Sequence, residues 1–180
     1  MRNFQLIAAN VDVMPLLHAV TRQSQLWNEN RLRTTYPETP HAEASDIWLW
    51  FNSTDDAATV ADDKDTVPYP ARQALPQARP IVFDLMRGVQ GSRLGRVLIT
   101  RLAPGKSISP HADGGAPAEY FSRYQVALQS LPGCLFTIGD EVVTFSPGDV
   151  WWIANQRTHS VVNNSTDDRV VLIVDIRVAP

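Results

Sequence analysis

A chain of 180 residues is long enough to bury a core of its own, and a formal net charge of -3 argues against binding a nucleic-acid backbone, which favours a basic excess. Its one cysteine, Cys134, excludes an intramolecular disulfide and fits a reducing compartment. No apolar run approaches the roughly 20 residues of a membrane-spanning helix, and Asn10 and Asp12 interrupt any leader-like stretch, so the expectation is one cytoplasmic domain over 1–180 with no membrane partner.

In chain order, residues 4–9 read as a short strand. From Val11 to Trp27, Val13, Leu16, Leu17, Val20 and Leu26 recur at helical spacing, with Pro15 early enough for a first turn. His18 falls in this segment with no metal-type neighbour and reads as a surface or packing residue. Residues 28–40 are polar and turn-rich, and Asp46–Phe51 then reads as a strand that places Trp48 and Trp50 on one face. That face is expected to be core. Barrel strands also line pockets, so Trp48, Trp50 and the upstream His41 are candidate substrate contacts.

Residues 53–65 hold Asp55, Asp56, Asp62, Asp63 and Asp65 without EF-hand ligand spacing, and read as a solvated loop, a candidate lid. A helix over 78–89 follows, burying Ile81, Val82, Leu85, Met86 and Val89 and ending at Gly91. Beyond it, short apolar runs alternate with turn signals. Strands are predicted near 95–102, 107–111, 122–129, 133–138, 141–145, 149–154, 158–163 and 168–177, a number and spacing that match a jelly-roll. The fold class is therefore mainly β with flanking helices (α+β), with residues 1–92 packing on a core formed by 93–178. Cys134, in an apolar strand, reads as a packing residue.

The chemistry gathers at Pro110–Gly115. In an extended segment His111 and Asp113, two residues apart, point to the same side and can grip one cation. His159, at the start of another predicted strand, supplies a third ligand. Two histidines and a carboxylate on one face, with open positions left over, suit a non-haem Fe(II) oxygenase. Ten residues on, Arg169 opens the apolar run Val170–Val174, a strand buried on both faces. A guanidinium there needs a partner, and a cosubstrate carboxylate would satisfy it. In the strand 122–129, Arg123, Gln125, Ala127 and Gln129 alternate with Tyr124, Val126 and Leu128. A half-exposed strand explains the alternation, as does a polar face lining a cavity for an acidic ligand. Thr100 interrupts Val97–Ile99 and can present a hydroxyl inward.

Leu102–Gly105, Ser109–Asp113, Arg123, Gly148–Trp152, His159–Asn163 and Arg169–Asp175 together resemble the aspartyl/asparaginyl β-hydroxylase-like group of Fe(II)- and 2-oxoglutarate-dependent dioxygenases, over about 97–178. The resemblance implies a double-stranded β-helix (jelly-roll, cupin-like) core, with His111, Asp113 and His159 as iron ligands and catalytic centre. It implies that Arg169 binds the distal carboxylate of 2-oxoglutarate, helped by Arg123 and Thr100. Gln125 stands where many relatives carry histidine. The implied activity consumes O2 and 2-oxoglutarate, releases succinate and CO2, and hydroxylates an amino-acid or peptide side chain or a related small molecule. Two other classes fit the same residues: a zinc hydrolase, for which Glu119 is the nearby candidate base, and a non-catalytic cupin-like metal-binding module.

Overall fold

The computed structural model describes residues 2–54 and 64–178. Asp55, Asp56, Asp62 and Asp63, and with them most of the candidate lid, lie outside the described residues. Among the described residues the chain forms two antiparallel sheets. The larger comprises β1 (Phe4–Ala8), β2 (Ala44–Phe51), β3 (Val67–Pro68), β4 (Gly91–Leu102), β6 (Ser122–Gln129), β9 (Val150–Ile153) and β11 (Arg169–Val178), in the order β1-β9-β6-β11-β4-β2-β3. The smaller comprises β5 (Ser107–His111), β7 (Cys134–Ile138), β8 (Glu141–Val143) and β10 (His159–Asn163), in the order β5-β10-β7-β8. This is a jelly-roll, mainly β, with α1 (Met14–Thr21), α2 (Leu32–Thr35), α3 (Ala71–Ala74), α4 (Ala78–Gly88) and α5 (Gly115–Tyr120) around it. Among the described residues no helix is long and apolar enough to cross a membrane.

Strand alternation divides the large sheet into two faces. On one, Val170, Leu172, Val174 and Ile176 of β11 join Val97 and Ile99 of β4 and Tyr124, Val126 and Leu128 of β6. Against them pack Leu16 and Val20 of α1 and Ile81, Val82 and Leu85 of α4. Leu172 is fully buried there, and Leu172→Ala should cost about 2–5 kcal/mol. The other face looks towards the small sheet. Ala127, Leu102, Trp151 and Ile153 from one sheet meet Ile108, Phe136, Ile138 and Val161 from the other in a second apolar cluster. Strand β6 is paired along both edges, with β9 and β11, and residues 124–128 are buried whichever face they point to, so the half-exposed alternative for 122–129 does not apply.

Local departures from the sequence pattern have visible causes. The helix expected over 11–27 stops at Thr21, because Gln23 leaves helical geometry and its side chain donates to the carbonyl of Ala74 at 2.9 Å. Helix α4 ends at Gly88, not at Gly91. Gly91 instead opens β4, where a Cβ would fall 2.4 Å from Ile176, a contact that no side chain tolerates. Trp48 and Trp50 do not share a face. A register shift between them pairs Trp48 with Leu98 and Trp50 with Val97, and the two rings join different apolar clusters. The amino-terminal segment also does more than pack on the barrel, since it contributes β1, β2 and β3 to the large sheet.

Candidate active site

Strands β5 and β10 run antiparallel with His111 directly opposite His159, which brings the two rings to 4.3 Å between centroids. Asp113 lies two residues past His111, in the loop that follows β5. Its backbone N–H donates to the carbonyl of Asn155 at 2.9 Å, and Gly115 then turns the chain into α5 with φ +79°. One ligand atom from each of His111, Asp113 and His159 lies within 4.8 Å of the others.

Hydrogen bonding fixes which atoms face inward. Each imidazole lies close to the carbonyl two residues before it: His111 Nδ1 at 2.8 Å from Ser109 O, and His159 Nδ1 at 2.9 Å from Arg157 O. A carbonyl only accepts, so each Nδ1 carries the proton and each Nε2 presents a lone pair. His111 Nε2 is buried with no hydrogen-bond partner among the described residues. Asp113 shows the same division of labour. Its Oδ2 accepts from Arg123 Nη1 and, at 2.9 Å, from Asn155 Nδ2, which leaves Oδ1 turned to His111 Nε2 at 3.6 Å. Burial alone would raise the Asp113 carboxyl, but Arg123 above all outweighs it and holds the group down to about 2. Burial pushes His159 below its ordinary value, which keeps that ring neutral. Two imidazole lone pairs and a carboxylate oxygen, all unspent, form a donor set that fits a divalent cation such as Fe(II) and leaves part of its coordination sphere open.

Two arginines flank this triad, Arg123 half-buried and Arg169 buried. Arg123, on β6, donates through Nε and Nη2 to both oxygens of Asp175 at 2.8 Å, as well as to Asp113. Burial opposes its charge, and Asp113 and Asp175 overcome that to hold it above its ordinary value. Arg169, at the head of β11, is 2% exposed and donates to Gln125 Oε1 at 3.0 Å. Its guanidinium lies over the rings of Phe136 and Phe145 at 5.6 and 5.7 Å, and no carboxylate pairs with it among the described residues. Burial pulls it down to about 10. Phe136 in turn lies 5.9 Å from the His159 ring, so a single aromatic ring separates Arg169 from the triad.

On the opposite side a cavity of about 540 Å³ opens against His111 and Asp113. Leu32, Tyr36, Phe51, Leu98 and Ile173 give it an apolar wall, and Arg33, His41, Arg96 and Arg123 supply its polar groups. His41 is therefore at the cavity, with its ring edge-on to His111 at 4.7 Å. Trp48 is not among the lining residues. It is 2% exposed and stacked on Phe51 at 3.8 Å. Trp50 sits on the far face of the sheet, under the guanidinium of Arg72. Thr100 points inward as expected, but its hydroxyl donates to Asp46 Oδ1 at 2.8 Å. Glu119 is exposed on α5 and does not line the cavity, so it is not placed as a hydrolytic base. Cys134 is buried, and its thiol lies 3.0 Å from Asn163 Oδ1. Three contributors escaped sequence reasoning: Asn155, Asp175 and Arg33. Each is a common polar residue with no motif of its own, and only long-range pairing brings it to the site.

A double-stranded β-helix with a His-x-Asp…His triad at one end of its sheets defines the class of non-haem iron oxygenase folds. A sequence profile of the aspartyl/asparaginyl β-hydroxylase family matches residues 18–178, and the chain belongs to that family. No curated protein matches the sequence. Solved structures share the fold at low identity. A prolyl hydroxylase from Trichoplax adhaerens, in complex with a hypoxia-inducible-factor peptide, superposes with a TM-score of 0.63 at 12% identity, covering 97% of this chain and 83% of that one. A viral collagen prolyl hydroxylase from Paramecium bursaria Chlorella virus-1, in its 2-oxoglutarate complex, gives 0.59 at 8% identity, covering 99% and 97%. A 2-oxoglutarate–Fe(II) oxygenase family protein from Burkholderia pseudomallei gives 0.54 at 14% identity, covering 74% of this chain and 66% of that one.

Proposed function

We propose that the chain is an Fe(II)- and 2-oxoglutarate-dependent dioxygenase that hydroxylates an amino-acid or peptide side chain or a related small molecule. The observation that carries this reading is the pairing of three unspent ligand atoms with Arg169, a buried guanidinium that lacks a carboxylate among the described residues and sits one ring away. An unpaired charge in an apolar site is costly unless an anion joins it. A carboxylate of a 2-oxo diacid would meet that need.

In this account His111 Nε2, Asp113 Oδ1 and His159 Nε2 would hold Fe(II). Arg169 and Gln125 take the distal carboxylate of 2-oxoglutarate between Phe136 and Phe145, which exclude water. Arg123 and Asn155 hold the second oxygen of Asp113, so that only one oxygen is offered to the metal. Thr100, whose hydroxyl is spent on Asp46, is given no contact with the cosubstrate. When bound, iron and 2-oxoglutarate supply the oxidising power: one oxygen atom of O2 enters a C–H bond to give C–OH, the other enters succinate, and CO2 leaves. The family membership and the fold shared with oxygenases support the reaction type, and the cavity beside His111 supports a place for the substrate.

The test is Fe(II)-dependent conversion of 2-oxoglutarate into succinate, first alone and then with a panel of amino acids and peptides. The expected result is slow conversion that a substrate accelerates and that His111→Ala abolishes. Metal-dependent hydrolysis without succinate would instead favour a hydrolase.

A further inference from the structure

One chain of side chains beside the triad is not used by the reaction described above. Thr100 Oγ1 donates to Asp46 Oδ1, and Arg33 Nη1 reaches both Asp46 oxygens at 2.9 and 2.8 Å. Arg33 Nη2 then stands 3.1 Å from His41 Nδ1. A guanidinium only donates, so His41 Nδ1 must accept, and the proton of the neutral ring must sit on Nε2. Asp46 is fully buried, its backbone N–H bonds to Asn28 Oδ1 at 3.1 Å, and that of His41 bonds to Thr39 Oγ1 at 3.1 Å. The tautomer and the setting of the ring are therefore fixed from behind. No protein acceptor takes the Nε2–H among the described residues, and His41 lines the cavity against His111.

The cavity says what kind of acceptor belongs there. Arg33, Arg96 and Arg123 line it, while Asp113 is the one acidic lining residue among those described and is already held by Arg123. With Asp113, the carboxylates of Asp46 and Asp175 balance the three formal charges, but Asp46 and Asp175 lie behind the guanidiniums with side chains 0% and 5% exposed. A cavity that presents guanidinium N–H donors and an apolar wall, with two of the compensating carboxylates set behind, favours a small anion with a hydrocarbon body. We propose that His41 is a specificity-determining residue whose Nε2–H, set by the Thr100–Asp46–Arg33 chain, donates to a carboxylate oxygen of a small substrate lodged beside His111. The inference rests on the dioxygenase reading, and it adds the substrate class and the residue that selects it.

The test uses protein loaded with Zn(II) and 2-oxoglutarate, so that the metal and Arg169 are already occupied, and two probes of matched shape, cyclopentanecarboxylate and cyclopentanecarboxamide. Two-bond 1H–15N spectra report the His41 tautomer and its response to each probe. The expected result is an Nε2–H tautomer whose Nε2 shifts with the carboxylate, bound at least about tenfold more tightly than the amide. His41→Phe keeps the ring volume and should weaken carboxylate binding at least about tenfold. His41→Gln, whose amide can accept from Arg33 and donate to the ligand, should restore it to within about threefold. An Nδ1–H tautomer, equal binding of the two probes, or unchanged carboxylate binding in His41→Phe would each overturn the proposal while leaving the dioxygenase reading intact. Failure of the protein to take up Zn(II) and 2-oxoglutarate would overturn that reading, and this inference with it.

Discussion

Arg123 and Arg169 occupy neighbouring strands on the same inner face, the first half-buried and the second buried, and differ in their partners. Arg123 is saturated within the chain, with Asp175 on one side and Asp113 on the other. Arg169 has a glutamine and two aromatic rings. The same guanidinium is thus held above its ordinary value at one position and drawn down to about 10 at the other. A charge compensated inside the chain serves structure and sets the position of a ligand. A charge left without a carboxylate among the described residues, as at Arg169, is what the proposed cosubstrate would compensate.

The largest expected effect falls on the triad itself. His111→Ala removes a ligand atom and should eliminate metal-dependent activity in a succinate assay. Next comes the arginine pair, where opposite outcomes are expected. Arg123→Met leaves Asp113 and Asp175 buried without their shared cation and should destabilise the fold by roughly 3–5 kcal/mol in urea unfolding. Arg169→Met removes a charge with no carboxylate partner among the described residues and should leave the urea midpoint unchanged or raise it. The same variant should weaken 2-oxoglutarate binding at least about 30-fold, the result of losing one side of a buried charge pair. Equal destabilisation by the two substitutions would remove the distinction between them.

Acid should act on the metal-free protein through its buried imidazoles. His41 is held far below its ordinary value by burial and then by Arg33, and His159 is lowered by burial. Lowered folded values mean that the unfolded chain binds more protons near neutrality. Stability from these rings is present above about pH 6.5 and falls away as the pH drops below it. His41→Phe should flatten the decline, as read by thermal melts of the metal-free protein. Asp113, lowered to about 2, contributes stability that is present above about pH 4 and is lost only as the pH falls from there towards 2. The smallest effect is expected from Asn155→Ala, which gives up one of the two bonds to Asp113 Oδ2 and should cost roughly tenfold in metal affinity, measured by competitive chelation.

Much of this was legible in the sequence for physical reasons. Apolar runs bounded by Pro-Gly and Gly-Asp pairs located the strands, because turn chemistry is local. His111 and Asp113 were legible because i and i+2 in an extended segment share a side, and His159 because it opens a strand. The Trp48–Trp50 pair misled, since a one-residue register shift reverses which face a side chain occupies and leaves no mark in a period-2 pattern. Thr100 was correctly turned inward, but its partner, Asp46, comes from a strand 54 residues earlier in the chain. Arg33, Asp175 and Asn155 could not be singled out, because their roles exist only once distant strands are paired.

The central claim is that Arg169 and the triad are two ends of one site for a chelating 2-oxo diacid. Anaerobic addition of Fe(II) and then 2-oxoglutarate to the metal-free protein tests it most directly, through the visible metal-to-ligand charge-transfer band. The band should appear only when both are present, should vanish in His111→Ala, and should require far more 2-oxoglutarate in Arg169→Met. No band in the wild-type protein, together with tight Zn(II) binding, would contradict the claim.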